Sequence, residues 1–156
     1  MRSTLLAFGF SLFAAVAGAI ESASAQSFVV QRPNGGGCTP VVTTLSAVGL
    51  PTPGNSAFGF TLFSQSSPMA NSVLHFGFPI TPAAIPSGLT APGTVCEIAV
   101  AQQFNLPFFL PIQSVGILNF PIPPGPALVG VTWDVQALSV HTNNTVSASS
   151  TLVMGI

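Results

Sequence analysis

Fifteen prolines, every one of them after residue 32, break this chain into short pieces. Each proline fixes φ and lacks an amide donor, so helix interiors and central strands reject it. Glycines fall between the prolines, and few uninterrupted windows are long enough for a helix of several turns. Apolar residues at helical spacing are missing as well. What survives between the breaks is short, apolar and often alternating, which is the pattern of strands.

Strands are expected at 28–32 (FVVQR), 41–50, 57–65, 72–78, 95–102, 106–112, 116–122, 129–140 and 145–154, with turn clusters between them. The PNGGGCTP stretch reads as a flexible link, and 79–94 (PITPAAIPSGLTAPGT) as a long proline-rich crossover. Many short strands between turns predict an all-β fold, an antiparallel β-sandwich of about eight strands. Alternation nominates a core of Phe58, Phe60, Leu62, Leu74, Phe76, Phe78, Ile98, Val100, Val131, Trp133 and Val135. Glu97 and Asp134 fall on the opposite parity, hence toward water. PIPPGPALVG, leading to Trp133 and Asp134, reads as a rigid corner rather than a polyproline ligand, because its prolines abut a strand.

The first 25 residues have a basic start, an apolar run and the exit Ala23-Ser24-Ala25, the plan of a secretory signal peptide cleaved before Gln26. The apolar run is short for a bilayer span. Cleavage leaves 26–156, enough for one domain, and no later run is long enough to span a membrane. The expected location is secreted, extracellular or at the cell surface, with the periplasm as a variant.

Charge excludes several functions. Beyond residue 25 the charged residues are Arg32, Glu97 and Asp134, and there is no Lys. A single Arg cannot neutralise a run of phosphates, so no nucleic acid is expected as partner. An electrostatic membrane footprint fails for the same reason. Solubility rests on Ser, Thr, Asn and Gln, a surface that salt barely screens. Such a surface lacks the charges that usually guard strand edges.

Cys38 and Cys96 are the only cysteines. An even count in an oxidising compartment argues for one disulfide, worth roughly 4 kcal/mol through the unfolded chain. A metal pair or a reactive thiol are the alternatives, and no His or carboxylate stands at ligand spacing. No cofactor motif is present.

Candidate chemistry is sparse. A Ser-His-acid set would draw on His75 or His141 with Asp134 or Glu97, but no G-x-S-x-G elbow exists. His75 reads as solvent-facing and His141 as a turn residue. Paired-carboxylate catalysis needs Glu97 and Asp134 to meet, and a hard-cation cage wants more carboxylates than two. The reading is therefore of no catalytic, cofactor or metal residue. Sugar platforms favour exposed Trp or Tyr, and this chain has one Trp and no Tyr. An outer-membrane barrel wants longer strands and aromatic girdles. Asn143-Asn144-Thr145 matches a glycosylation acceptor in a turn.

Several landmarks occur in a distinctive order: NGGGCTP, PTPGNSAFGF, VLHFGF, GLTAPGTVC and PIPPGPALVGVTWDVQ. In combination they resemble an uncharacterised secreted all-β domain. That domain recurs at the C-terminus of large surface proteins of planctomycete- and myxobacterial-type bacteria, often beside propeller-like repeats. The resemblance runs from Gly35 onward. It implies a Cys38–Cys96 disulfide, a sandwich and no established enzymatic activity. This chain is expected to carry the domain alone, behind its leader. The functional expectation is a non-catalytic structural or interaction module, whose partner is a surface protein, a glycan or a second copy of itself.

Overall fold

The computed structural model describes residues 26–65, 67–108 and 114–156. The expected leader lies outside them, as do Phe109, Leu110, Pro111 and Ile112 of the expected 106–112 strand. Ten strands are present among the described residues: β1 (Phe28–Gln31), β2 (Gly37–Thr39), β3 (Thr43–Val48), β4 (Gly59–Ser64) and β5 (Met69–Ala84). They continue with β6 (Val95–Phe108), β7 (Val115–Asn119), β8 (Thr132–His141), β9 (Val146–Ala148) and β10 (Leu152–Gly155). The larger sheet has the order β1-β10-β8-β5-β6-β2, with β9 also on β8, and the smaller is β3-β4-β7. Every pairing is antiparallel. The fold is the expected all-β sandwich with one disulfide.

The inner faces meet over a core led by aromatic rings. Phe58 and Phe60 of the β4 side approach each other edge to face at 5.3 Å. Phe60 meets Phe76 of β5 at 5.8 Å, and Phe76 stacks on Phe104 of β6 at 4.7 Å. Such ring pairs add about 0.5–1.5 kcal/mol each beyond the area they bury. Leu45, Leu62, Met69, Leu74, Val135, Leu152 and Met154 fill the space around them. The proline corner behaves as a connector. Ile122 is buried, its N–H donates to Asn55 O at 3.0 Å, and a short 3-10 turn follows at Pro126–Leu128.

A second, smaller core explains where alternation misleads. β5 and β6 form a hairpin longer than the sandwich is wide. Their register slips between Phe76 and Gly77, where Gln103 is left over, and again between Pro79 and Ala83. Past these creases the hairpin folds back over the outer face of β8 and β9. Ile85, Cys38, Cys96, Val42 and Ala148 gather there with Ile98, Leu138 and Val146. Gly77 sits at the first crease because nothing larger fits: a Cβ there would lie 1.7 Å from Ala101 O.

Several expectations are corrected by this crease. Phe78 is 57% exposed, because beyond Gly77 no facing sheet remains to cover it. Ile98 belongs to the second core, and Trp133 and Val131 are half-buried. The crossover at 79–94 begins instead as strand: β5 runs to Ala84, with Pro79 and Pro82 on a free edge that needs no amide donor from them. The expected strand at 106–112 starts as the end of β6. PNGGGCTP is not a loose link, since Gly35 and Gly37 are buried and β2 begins within it.

Gly77→Ala should lower stability by about 3 kcal/mol or more, the range of backbone clashes in a packed site. Gly88→Ala, with open space around it, should change it little. Urea midpoints of the two variants give the comparison.

Candidate interaction site

Of the residues weighed for chemistry, Asp134 and His141 are buried in contacts that join separate segments. Asp134 points to the outer face of β8, as its parity requires, yet it is 2% exposed because the folded-back hairpin covers that face. Arg32, just past β1, donates from Nη2 to Asp134 Oδ1 at 2.6 Å. That hydrogen bond raises the Arg32 pKa above its ordinary value. The outward, solvated Asp expected from alternation is therefore corrected to a buried partner of Arg32. A buried pair contributes little net stability while intact, but losing one member leaves the other charge uncompensated.

Two residues on, Gln136 is fully buried. Its side-chain amide takes the place of a missing strand. It accepts from Ala99 N–H at 2.9 Å and donates to Glu97 O at 3.0 Å and Ser149 O at 2.9 Å. Gly36, at φ 67°, lies against this amide. A Cβ there would sit 2.9 Å from Glu97 O and 3.2 Å from Gln136 Nε2. Glu97 thus contributes its backbone carbonyl, while Asp134 is bonded to Arg32.

His141 is 1% exposed, not a free turn residue. Its Nδ1 lies 3.0 Å from Ser67 O, a pure acceptor, so the ring proton sits on Nδ1. Nε2 then accepts from Ser147 Oγ at 2.7 Å, and Ser147 shares a 2.5 Å hydrogen bond with Thr43. A Ser-His contact of this kind is the geometry that activates a nucleophile. Here Ser147 is 1% exposed, so the contact serves to pin β9 and β8 to β3.

His75 is half-buried, in register with Asn105 on one side and Gln136 on the other. It borders a small groove of about 210 Å³ beside Val73, Leu138, Val140 and Val146. Burial lowers its pKa below the ordinary 6.5. Cys38 and Cys96 are disulfide-bonded across directly opposed positions of β2 and β6. Trp133 is held edge to face by Phe104 at 5.5 Å. Asn143 is exposed, and its Oδ1 accepts from Thr145 N–H and Oγ1–H. Among the described residues, no three His, Cys, Asp or Glu side chains gather as a metal site, and no helix is long and apolar enough to cross a membrane.

A wider concavity than the His75 groove lies elsewhere. A cleft of about 520 Å³ opens between β1 and β3, the facing edges of the two sheets. Its floor is Thr43 together with the margin of the main core: Val29, Leu45, Ala47 and Leu152. Its rim carries Val30, Val41 and Leu50, each 52% exposed. No charged residue lines it. β1 pairs only with β10 and β3 only with β4 among the described residues, so alternate N–H and C=O groups of both walls are open to a further chain. This geometry recognises extended backbone and neutral, alternating side chains. Alternation alone could not reveal it, because the cleft exists only where two distant strands end their sheets.

Compared with known proteins, the chain matches no family model, no curated protein and no solved structure.

Arg32→Ala should destabilise the fold by about 2–3 kcal/mol, somewhat below a fully buried pair because Arg32 is partly exposed. The Arg32→Ala/Asp134→Asn double variant should recover part of that loss in urea unfolding. For His75 the pKa is lower in the folded state, so the unfolded chain binds the extra proton first. Its stabilising contribution is complete above pH 6.5 and is lost as pH falls below that value. From neutral to about pH 5, wild type should lose more stability than His75→Gln.

Proposed function

We propose that this chain is a secreted, non-catalytic module of the cell surface or extracellular matrix, structural or interactive in role, working through neutral strand edges. The observation that carries the reading is the uncharged cleft between β1 and β3, with a floor of core side chains and unpaired backbone on both walls. Backbone pairing of this kind is insensitive to salt, which suits a surface with almost no charge. The Cys38–Cys96 disulfide is compatible with an oxidising compartment. Among interaction partners, the cleft favours an extended protein segment over a glycan, since Trp133 is engaged by Phe76 and Phe104 rather than presented as a platform.

Fractionation of the source cells tests this directly. The chain should be found outside the cytoplasm, bound to insoluble surface or matrix material, retained in high salt and released by urea. Recovery as a freely soluble monomer, or release by salt alone, would overturn the reading.

A further inference from the structure

Strand edges differ in how they are guarded, and the differences single out one of them. The free stretch of β5 past Gly77 carries Pro79 and Pro82, which cannot donate to a ladder. The free stretch of β6 carries the bulge at Gln103 and Pro107. β2 and β9 are three residues long. β1 and β3 are open as well, but toward the cleft between the two sheets rather than outward. β7 has none of these protections: Val115–Asn119 contains no proline and no charge, and among the described residues it pairs only with β4.

The side chains beside that edge are also the wrong kind for a wet surface. Ile117, at the middle of β7, is 73% exposed. Val115 and its cross-strand neighbour Phe63 on β4 are each 43% exposed. On the same outer face β3 offers Thr44 and Ser46, with Val48 the one apolar residue at its end, 48% exposed. The most exposed apolar side chain of this sheet, Ile117, thus sits on the edge strand β7.

We propose that β7 is a homodimer edge, pairing antiparallel with β7 of a second copy about a two-fold axis through Ile117. The proposal rests on the strand-edge reading above and adds to the β1–β3 cleft a second acting edge with its occupant. A second copy fits this edge in register. With Ile117 opposite Ile117, Val115 of one copy meets Asn119 of the other and Gly116 meets Leu118. All five residues then pair, and each keeps its own face of the sheet. Any register that places an odd residue opposite an even one would turn inner side chains outward. A two-fold interface must be self-complementary, and this one is. The formal net charge of −1 gives two copies almost no repulsion to overcome. The product is one continuous six-stranded sheet, β3-β4-β7 joined to β7-β4-β3, with Phe63, Val115 and Ile117 of both copies forming a single apolar band. A ladder of five residues makes a small interface, so the dimer is weak and depends on concentration.

The test uses the purified extracellular form. Wild type should sediment as a monomer–dimer mixture that shifts with concentration, and Ile117→Lys should weaken that association about tenfold or more. Ile117→Cys supplies a free thiol beside the Cys38–Cys96 disulfide. Directly opposed residues of an antiparallel pair have Cα atoms about 4.5–5.5 Å apart, within disulfide reach. Mild oxidation should therefore link Ile117→Cys into a covalent dimer and leave Thr44→Cys, on β3, monomeric. If wild type associates but Ile117→Lys associates equally, or Thr44→Cys cross-links as readily, the β7 assignment is overturned while the strand-edge reading stands. If wild type remains a monomer at every concentration, the β7 dimer is overturned, and cell fractionation decides the broader reading separately.

Discussion

The β5–β6 hairpin turns back over β8, and most of what is unusual in this molecule depends on that turn. Without the crease at Gly77, β8 would show its outer face to water, and Asp134, Gln136 and Leu138 would be surface residues. With it, three polar or apolar groups of ordinary surface parity become the floor of a second core. The sandwich is thus closed twice. The first closure is apolar, ring against ring between the two sheets. The second is made by a disulfide across the paired strands β2 and β6, and by an ion pair and one amide that each reach between segments that are not neighbours in the ladder.

Gln136 carries much of the second closure. Where β2 ends, the backbone of β6 still offers an N–H at Ala99 and a carbonyl at Glu97, and burial makes both expensive to leave unpaired. A peptide-like side chain from β8 satisfies them and also binds the Ser149 carbonyl. The three consecutive glycines before Cys38 belong to the same arrangement. They let the chain pass between Gln136, Glu97 and the Ser149–Thr151 corner at distances no side chain would permit. The sequence NGGGC is therefore a close-packing device, with the cysteine placed where β2 can be bonded to β6.

How much of this was legible in the chain can be judged residue by residue. Proline and glycine spacing revealed the strands, and alternation placed Phe58, Phe60, Leu62, Leu74, Phe76, Val100 and Val135 in the interior, where they are. The disulfide followed from having only two cysteines. Alternation failed at Asp134 because a period of two says which face a residue takes, not whether that face is covered; His141, read as a turn residue, is instead the buried last residue of β8. At Phe78 alternation failed for the converse reason: the face was right, but the opposing sheet had ended. Pro79 and Pro82 looked like loop residues because proline is excluded from paired interiors, while a one-sided edge strand accepts it. The cleft between β1 and β3 left no local signal, since its walls come from segments that only topology brings together.

Arg32 and Asp134 also set how the molecule meets an electric field. They neutralise one another inside the fold, and Glu97 is left as the single uncompensated ionic side chain after residue 25. A body of this size with so little charge migrates slowly, binds poorly to ion exchangers and gathers few counterions around it. Screening by salt has little to act on, since the one cation and one of the two carboxylates are held 2.6 Å apart.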